Sequence, residues 1–93
     1  MATQITQIDL NDRRRTILRV EGDMLRDDAL LVETLAKGIN AETGNSIVID
    51  LADLDFLDSE AASILKRIED REEFEIEGVE IFLQSAVDMA ERS

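Results

Sequence analysis

Apolar and polar positions change rhythm several times along this chain, and each change marks an element. In "TQITQIDL" Thr6, Ile8 and Leu10 alternate with their neighbours, and in "TILRVEG" Leu18 and Val20 face one way while Arg19 and Glu21 face the other. A period of two is that of a half-buried strand. Two strands are therefore predicted, joined at "NDRRR", where Asn11 and Asp12 supply turn chemistry and Arg13 to Arg15 form a basic cluster on a solvated turn. Gly22 is expected to end the second strand. Leu25, Ala29, Val32, Ala36 and Ile39 then recur every three or four residues, the stripe of an amphipathic helix lying on a sheet. Asp27 and Asp28 fall in its first turn, where the helix dipole favours negative charge, and Gly44 and Asn45 tolerate the left-handed conformation that closes helices.

The next segment, "SIVIDLADLDFLD", opens on Ile47 to Asp50, which do not alternate cleanly and so fit a central strand flanked by neighbours. Ala61, Ile64, Leu65 and Ile68 form a second helical stripe. "EDREEFEIEG" reads either as the frayed end of that helix or as a short extended piece leading to Gly78, with helix then loop favoured; "VEIFLQ" is expected to be a further strand, and "SAVDMAERS" the start of a third helix. Strands alternating with helices predict an α/β sandwich, with helices covering a mixed sheet.

Composition narrows the functional classes. At 93 residues the chain is expected to form one domain, residues 1–93, whose core hides roughly two-thirds of the surface that the unfolded chain exposes. Three Phe and no Trp or Tyr leave the core to aliphatic residues and remove the stacking platform of single-stranded nucleic acid binders. Ten basic against 22 acidic residues give a net charge of -12, which repels phosphate backbones and anionic lipids. Direct nucleic acid binding is disfavoured, and a partner with a basic docking face suits such a surface. With no Cys there is no disulfide framework; with no His, the commonest general base and metal ligand is missing. "MATQITQIDL" lacks the basic and apolar parts of a leader, and no apolar run approaches the ~20 residues of a membrane span. The expectation is a cytoplasmic protein without membrane insertion.

The stretch with candidate chemistry is "DFLDSEAAS", Asp55 to Ser63, at the predicted strand-to-helix junction. Asp58 and Ser59 are both favoured helix N-caps, and Glu60 adds favourable charge to the first turn. A catalytic serine would need a base. Only Lys37 or Lys66 could serve, neither lies in a recognisable motif, and Lys66 sits seven residues along the same helix. Asp53, Asp55, Asp58 and Glu60 lack the glycine and ligand order of a calcium loop, so no metal or other cofactor is expected. Modification remains, since a serine exposed at a helix start is within a kinase's reach and its phosphate would meet the N-terminal amides.

The segment "SIVIDLADLDFLDSEAASIL" resembles the signature of STAS domains, the anti-sigma-factor antagonist family, in which an apolar strand runs through an Asp-Ser pair into a helix that begins with small residues. "VEGDM" (Val20 to Met24) resembles the family's turn between second strand and first helix, and "GVEIFLQSAV" its late strand and third helix. The resemblance implies a four- or five-stranded mixed sheet with helices packed on one side. It places Ser59 on the serine that an anti-sigma kinase phosphorylates in partner-switching members, and Asp58 on the acidic residue before it. Asp23, Asp58, Ser59, Glu60 and Ser63 would then form the partner-binding surface, for an anti-sigma factor or a GHKL-type serine kinase, with room for a weak homodimer. The implied protein is a bacterial, non-enzymatic signalling switch acting on transcription.

At Glu60 the family usually has a small or hydroxylated residue, at Ala61 and Ala62 a Gly-Leu pair, and the third helix here is short. These departures keep an alternative open, a scaffold STAS protein that is not phosphorylated, in a signalling assembly or as the soluble subunit of a lipid-transporting ABC system. A phosphate adds about -1.5 to -2 charges; it gains ~0.3 to 1 kcal/mol from the helix dipole, and loses ~1 to 4 kcal/mol to a carboxylate at ~4 Å. Phosphorylation is thus expected to leave the fold alone and to change what the surface binds.

Overall fold

The computed structural model describes residues 3–70 and 74–78. Strand β1 (Gln4–Leu10) turns through a short 3-10 helix (Asn11–Arg13) into β2 (Arg15–Met24), antiparallel to it, with Ile8 opposite Ile17. Arg14 takes the left-handed conformation that closes this turn, and the three arginines are exposed. Helix α1 (Arg26–Thr43) leads to β3 (Ser46–Asp50), then β4 (Leu54–Leu57), α2 (Ser59–Glu69) and β5 (Phe74–Glu77). The sheet order is β1-β2-β3-β5, with β4 pairing the far end of β2. β2, β3, β4 and β5 pair in parallel, so the sheet is mixed, as expected.

Strand β3 lies between β2 and β5 with Ile47, Val48 and Ile49 buried, which accounts for its unalternating sequence. Ile47 and Ile49 join Leu18 and Val20 in the core, where Ala29, Val32 and Ala36 of α1 meet Ala61, Ile64, Leu65 and Ile68 of α2. The predicted stripes, Leu25 apart, are therefore the faces turned to the core, with Ile39 partly buried at the end of the first. Glu33 tightens the contact: it is 7% exposed, and its Oε1 accepts a 2.8 Å hydrogen bond from Arg67 Nη2 on α2. At the far end of the sheet Thr16, fully buried, donates to Asp9 Oδ1 (2.9 Å) and accepts from Asn45 Nδ2 (3.2 Å).

Three expectations need correction. Gly22 does not end β2; the strand runs on to Met24, with Gly22 at a positive φ where the register against β4 shifts. Leu25 is not part of the buried stripe, since it precedes α1 as its N-cap and is 47% exposed. The segment read as helix then loop holds strand β5, Phe74–Glu77, parallel to β3 and anchored by Phe74 in the core. Its acidic alternation, Glu75 and Glu77, resembled a solvated helix end, and the pairing partner that makes it a strand is distant in sequence. The predicted strand "VEIFLQ" and third helix lie outside the described residues.

The outer residue of β5, Glu77, is the partner of Asp50 across the ladder. Its carboxyl is held above the usual range, first by a hydrogen bond with Glu75, then by desolvation and by the charges of Glu75 and Asp50, which Arg15 partly offsets.

Candidate functional site

Parallel pairing of β2 with β4 brings the two strand-to-helix junctions together. Met24 is opposite Leu57, and the Asp58 amide donates to the Met24 carbonyl (3.2 Å), so the N-termini of α1 and α2 emerge at the same end of the sheet. Asp58, rather than Ser59, is the N-cap of α2: its Oδ1 accepts a 2.7 Å hydrogen bond from the Ala61 amide. Ser59 is thereby left as the first helical residue, exposed, with its carbonyl accepting from Ser63 Oγ (3.1 Å). At α1 the arrangement is reversed: the N-cap Leu25 offers no side-chain acceptor, and Asp28 Oδ2 in the first turn accepts from the Leu25 amide (3.0 Å).

Of the residues named from the sequence, Asp58, Ser59, Glu60 and Ser63 occupy the first turns of α2, and Ser59, Glu60 and Ser63 are exposed. Asp23 joins them through the sheet: it pairs with Phe56 on β4, is partly buried, and its carbonyl accepts from Thr3 Oγ1. Lys37 lies 3.8 Å from Glu33, one helical turn away on α1, and Lys66 is in the last turn of α2. Among the described residues no group of three or more His, Cys, Asp or Glu side chains is close enough to hold a metal ion.

Two residues of this end were not singled out from the sequence. Arg26, the first residue of α1, holds its Nε 3.9 Å from Glu60 Oε2, and with Glu60, Ser63 and Ile64 lines a shallow groove of about 330 Å³ beside Ser59. Both partners are largely exposed, so the ion pair contributes little stability, about 1 kcal/mol at most. It does put a cation beside the carboxylate next to Ser59. The second is Phe56, 50% exposed at the strand's end. Only the β2-β4 pairing, which joins residues more than thirty apart in sequence, makes either visible.

Residues 3–92 match the family profile described as "STAS domain". Among solved structures, the antisigma-factor antagonist STAS domain from Rhodobacter sphaeroides is similar to this chain, with a TM-score of 0.56 and 23% sequence identity over 83% of this chain and 87% of that one. No curated protein sequence matches. Among the described residues no helix is long and apolar enough to cross a membrane. With the five-stranded mixed sheet, its helices and a profile match over nearly the whole length, the chain belongs to the STAS domain family.

Proposed function

We propose that this protein is an anti-sigma-factor antagonist that works by partner switching, controlled by reversible phosphorylation of Ser59. The carrying observation is the division of labour at the start of α2: Asp58 caps the helix, and the neighbouring Ser59 is exposed, its hydroxyl making no hydrogen bond among the described residues. The fold neighbour described as an antisigma-factor antagonist supports the class. In the unmodified state the surface formed by Asp23, Asp58, Ser59, Glu60 and Ser63 binds an anti-sigma factor, and a GHKL-type serine kinase of the same system modifies Ser59. The protein acts by binding in the bacterial cytoplasm, as a single domain, and not by catalysis.

The phosphate acts on this surface rather than on the fold. Asp58 and Glu60 flank it, so the added charge is repelled more strongly than the helix dipole attracts it, and the complex is released by repulsion and desolvation. The Arg26 guanidinium beside Glu60 reduces the repulsion that this carboxylate would otherwise present to an approaching kinase. Incubation with ATP and the GHKL-type serine kinases of the source organism, followed by mass spectrometry, tests the proposal. One phosphate on Ser59 is expected, together with weakened anti-sigma binding by Ser59→Asp. No phosphate and unchanged binding by that variant would refute it, and recovery of an ABC ATPase and permease on affinity purification would favour the scaffold alternative.

A further inference from the structure

The end of β4 contains an irregularity. Gly22 of β2 is opposite Leu54, but the next residue, Asp23, is opposite Phe56, so Asp55 is an extra residue and β4 is bulged there. A regular strand alternates its faces, and would put Phe56 beside Leu54 in the core and Leu57 in solvent. The bulge reverses these two. Leu57 is 9% exposed and part of the core, whereas Phe56 is 50% exposed. Phe74, the other phenylalanine among the described residues, is in the core at 7%.

An exposed aromatic ring beside a modification site is a different matter from a scattered surface leucine. Phe56 is three residues before Ser59, within about 11 Å along the chain, and Leu25, 47% exposed, follows the residue that pairs with Leu57. The positions across and along the chain from Phe56 are acidic: Asp23 is its partner on β2, Asp55 precedes it, and Asp58 and Glu60 follow it, with Arg26 3.9 Å from Glu60. An aromatic centre with a charged rim is the layout of a binding hot spot, and the rim here is acidic.

We propose that Phe56 is the apolar anchor by which this surface holds the anti-sigma factor, inserting into an apolar socket bordered by Lys or Arg side chains. This rests on the reading of the protein as an anti-sigma-factor antagonist. It adds to it a residue outside the phosphorylated helix, so that affinity comes from Phe56 and control comes from Ser59.

The test is titration calorimetry of the anti-sigma factor against the wild-type protein, Phe56→Ser, Phe56→Gln and, as a control on the outward face of α1, Leu31→Ser, with a thermal melt of each. Leu31 is as exposed as Phe56, at 50%. Both Phe56 variants should bind at least about tenfold more weakly, as hot-spot truncations do, while melting as cooperatively as wild type, and Leu31→Ser should bind as wild type does. Phe56→Gln keeps the decision open to measurement should the serine variant not fold. Wild-type affinity in a folded Phe56 variant, with binding still lost on phosphorylation of Ser59, overturns the anchor and leaves the switch standing. Absence of binding by the unmodified wild-type protein overturns both. A change in self-association by sedimentation velocity without a change in anti-sigma binding assigns the ring to a second copy of this chain, and also overturns the proposal.

Discussion

Single side chains divide into those that hold the end of a helix and those that are left for a partner. Asp58 is of the first kind, and Asp58→Ala removes the side-chain acceptor of the Ala61 amide; urea unfolding should show a loss of about 1 kcal/mol. Ser59→Ala, by contrast, removes no hydrogen bond made by its hydroxyl in this structure and should unfold within about 0.5 kcal/mol of wild type. The pair of measurements separates capping from function at adjacent positions. A larger effect belongs to Thr16, whose hydroxyl joins Asp9 to the buried Asn45. Thr16→Val leaves the Asn45 amide without this acceptor, and the same denaturation experiment should register about 1–3 kcal/mol.

At the scale of elements, the buried part of the α1-α2 interface is apolar apart from Glu33, which is 7% exposed and holds Arg67 at 2.8 Å. Arg67→Met should destabilise by about 1.5–3 kcal/mol, because it leaves a buried carboxylate with Lys37 alone, 3.8 Å away. Restoring a neutral pair with Glu33→Gln in the same chain should recover part of that loss, a double-mutant cycle readable in urea. The β3-β5 edge gives a pH-dependent expectation. Glu77 has a folded pKa above its unfolded value, so the folded state binds the proton more tightly and stability falls as the pH rises from the unfolded to the folded pKa. Glu77→Gln should therefore melt slightly higher than wild type at pH 7, by a small margin since the group is exposed and screened, and the difference should vanish as the pH falls below the unfolded carboxylate range.

Legibility in the sequence followed the range of the interactions. The stripes of α1 and α2 were readable because a helix repeats its contacts every three or four residues, and β3 because burial on both sides removes alternation. At β5 the sequence left an extended piece as the less favoured of two readings, since Phe74 to Glu77 alternates with glutamates and owes its conformation to Ile47 through Asp50. Likewise Asp58 and Ser59 were visible as cap and neighbour, but Arg26 and Phe56 enter the site through the pairing of Met24 with Leu57 and the bulge at Asp55. Those are tertiary facts, and no local pattern encodes them.

For the molecule as a whole, the proposed affinity and control both fall on one end of the sheet, where Asp23, Asp58 and Glu60 lie. A chain of net charge -12 should associate with a basic partner faster at low salt than at high salt, because its field steers the encounter; stopped-flow association rates at two ionic strengths check this. The central claim is that Ser59 switches this surface without altering the fold. Its most direct test is calorimetric titration of the anti-sigma factor with the protein before and after stoichiometric phosphorylation of Ser59, alongside far-ultraviolet circular dichroism of both forms. Superimposable spectra are expected, with affinity at least about tenfold lower for the phosphorylated form, a change of about 1.4 kcal/mol. Equal affinities of the two forms would contradict it.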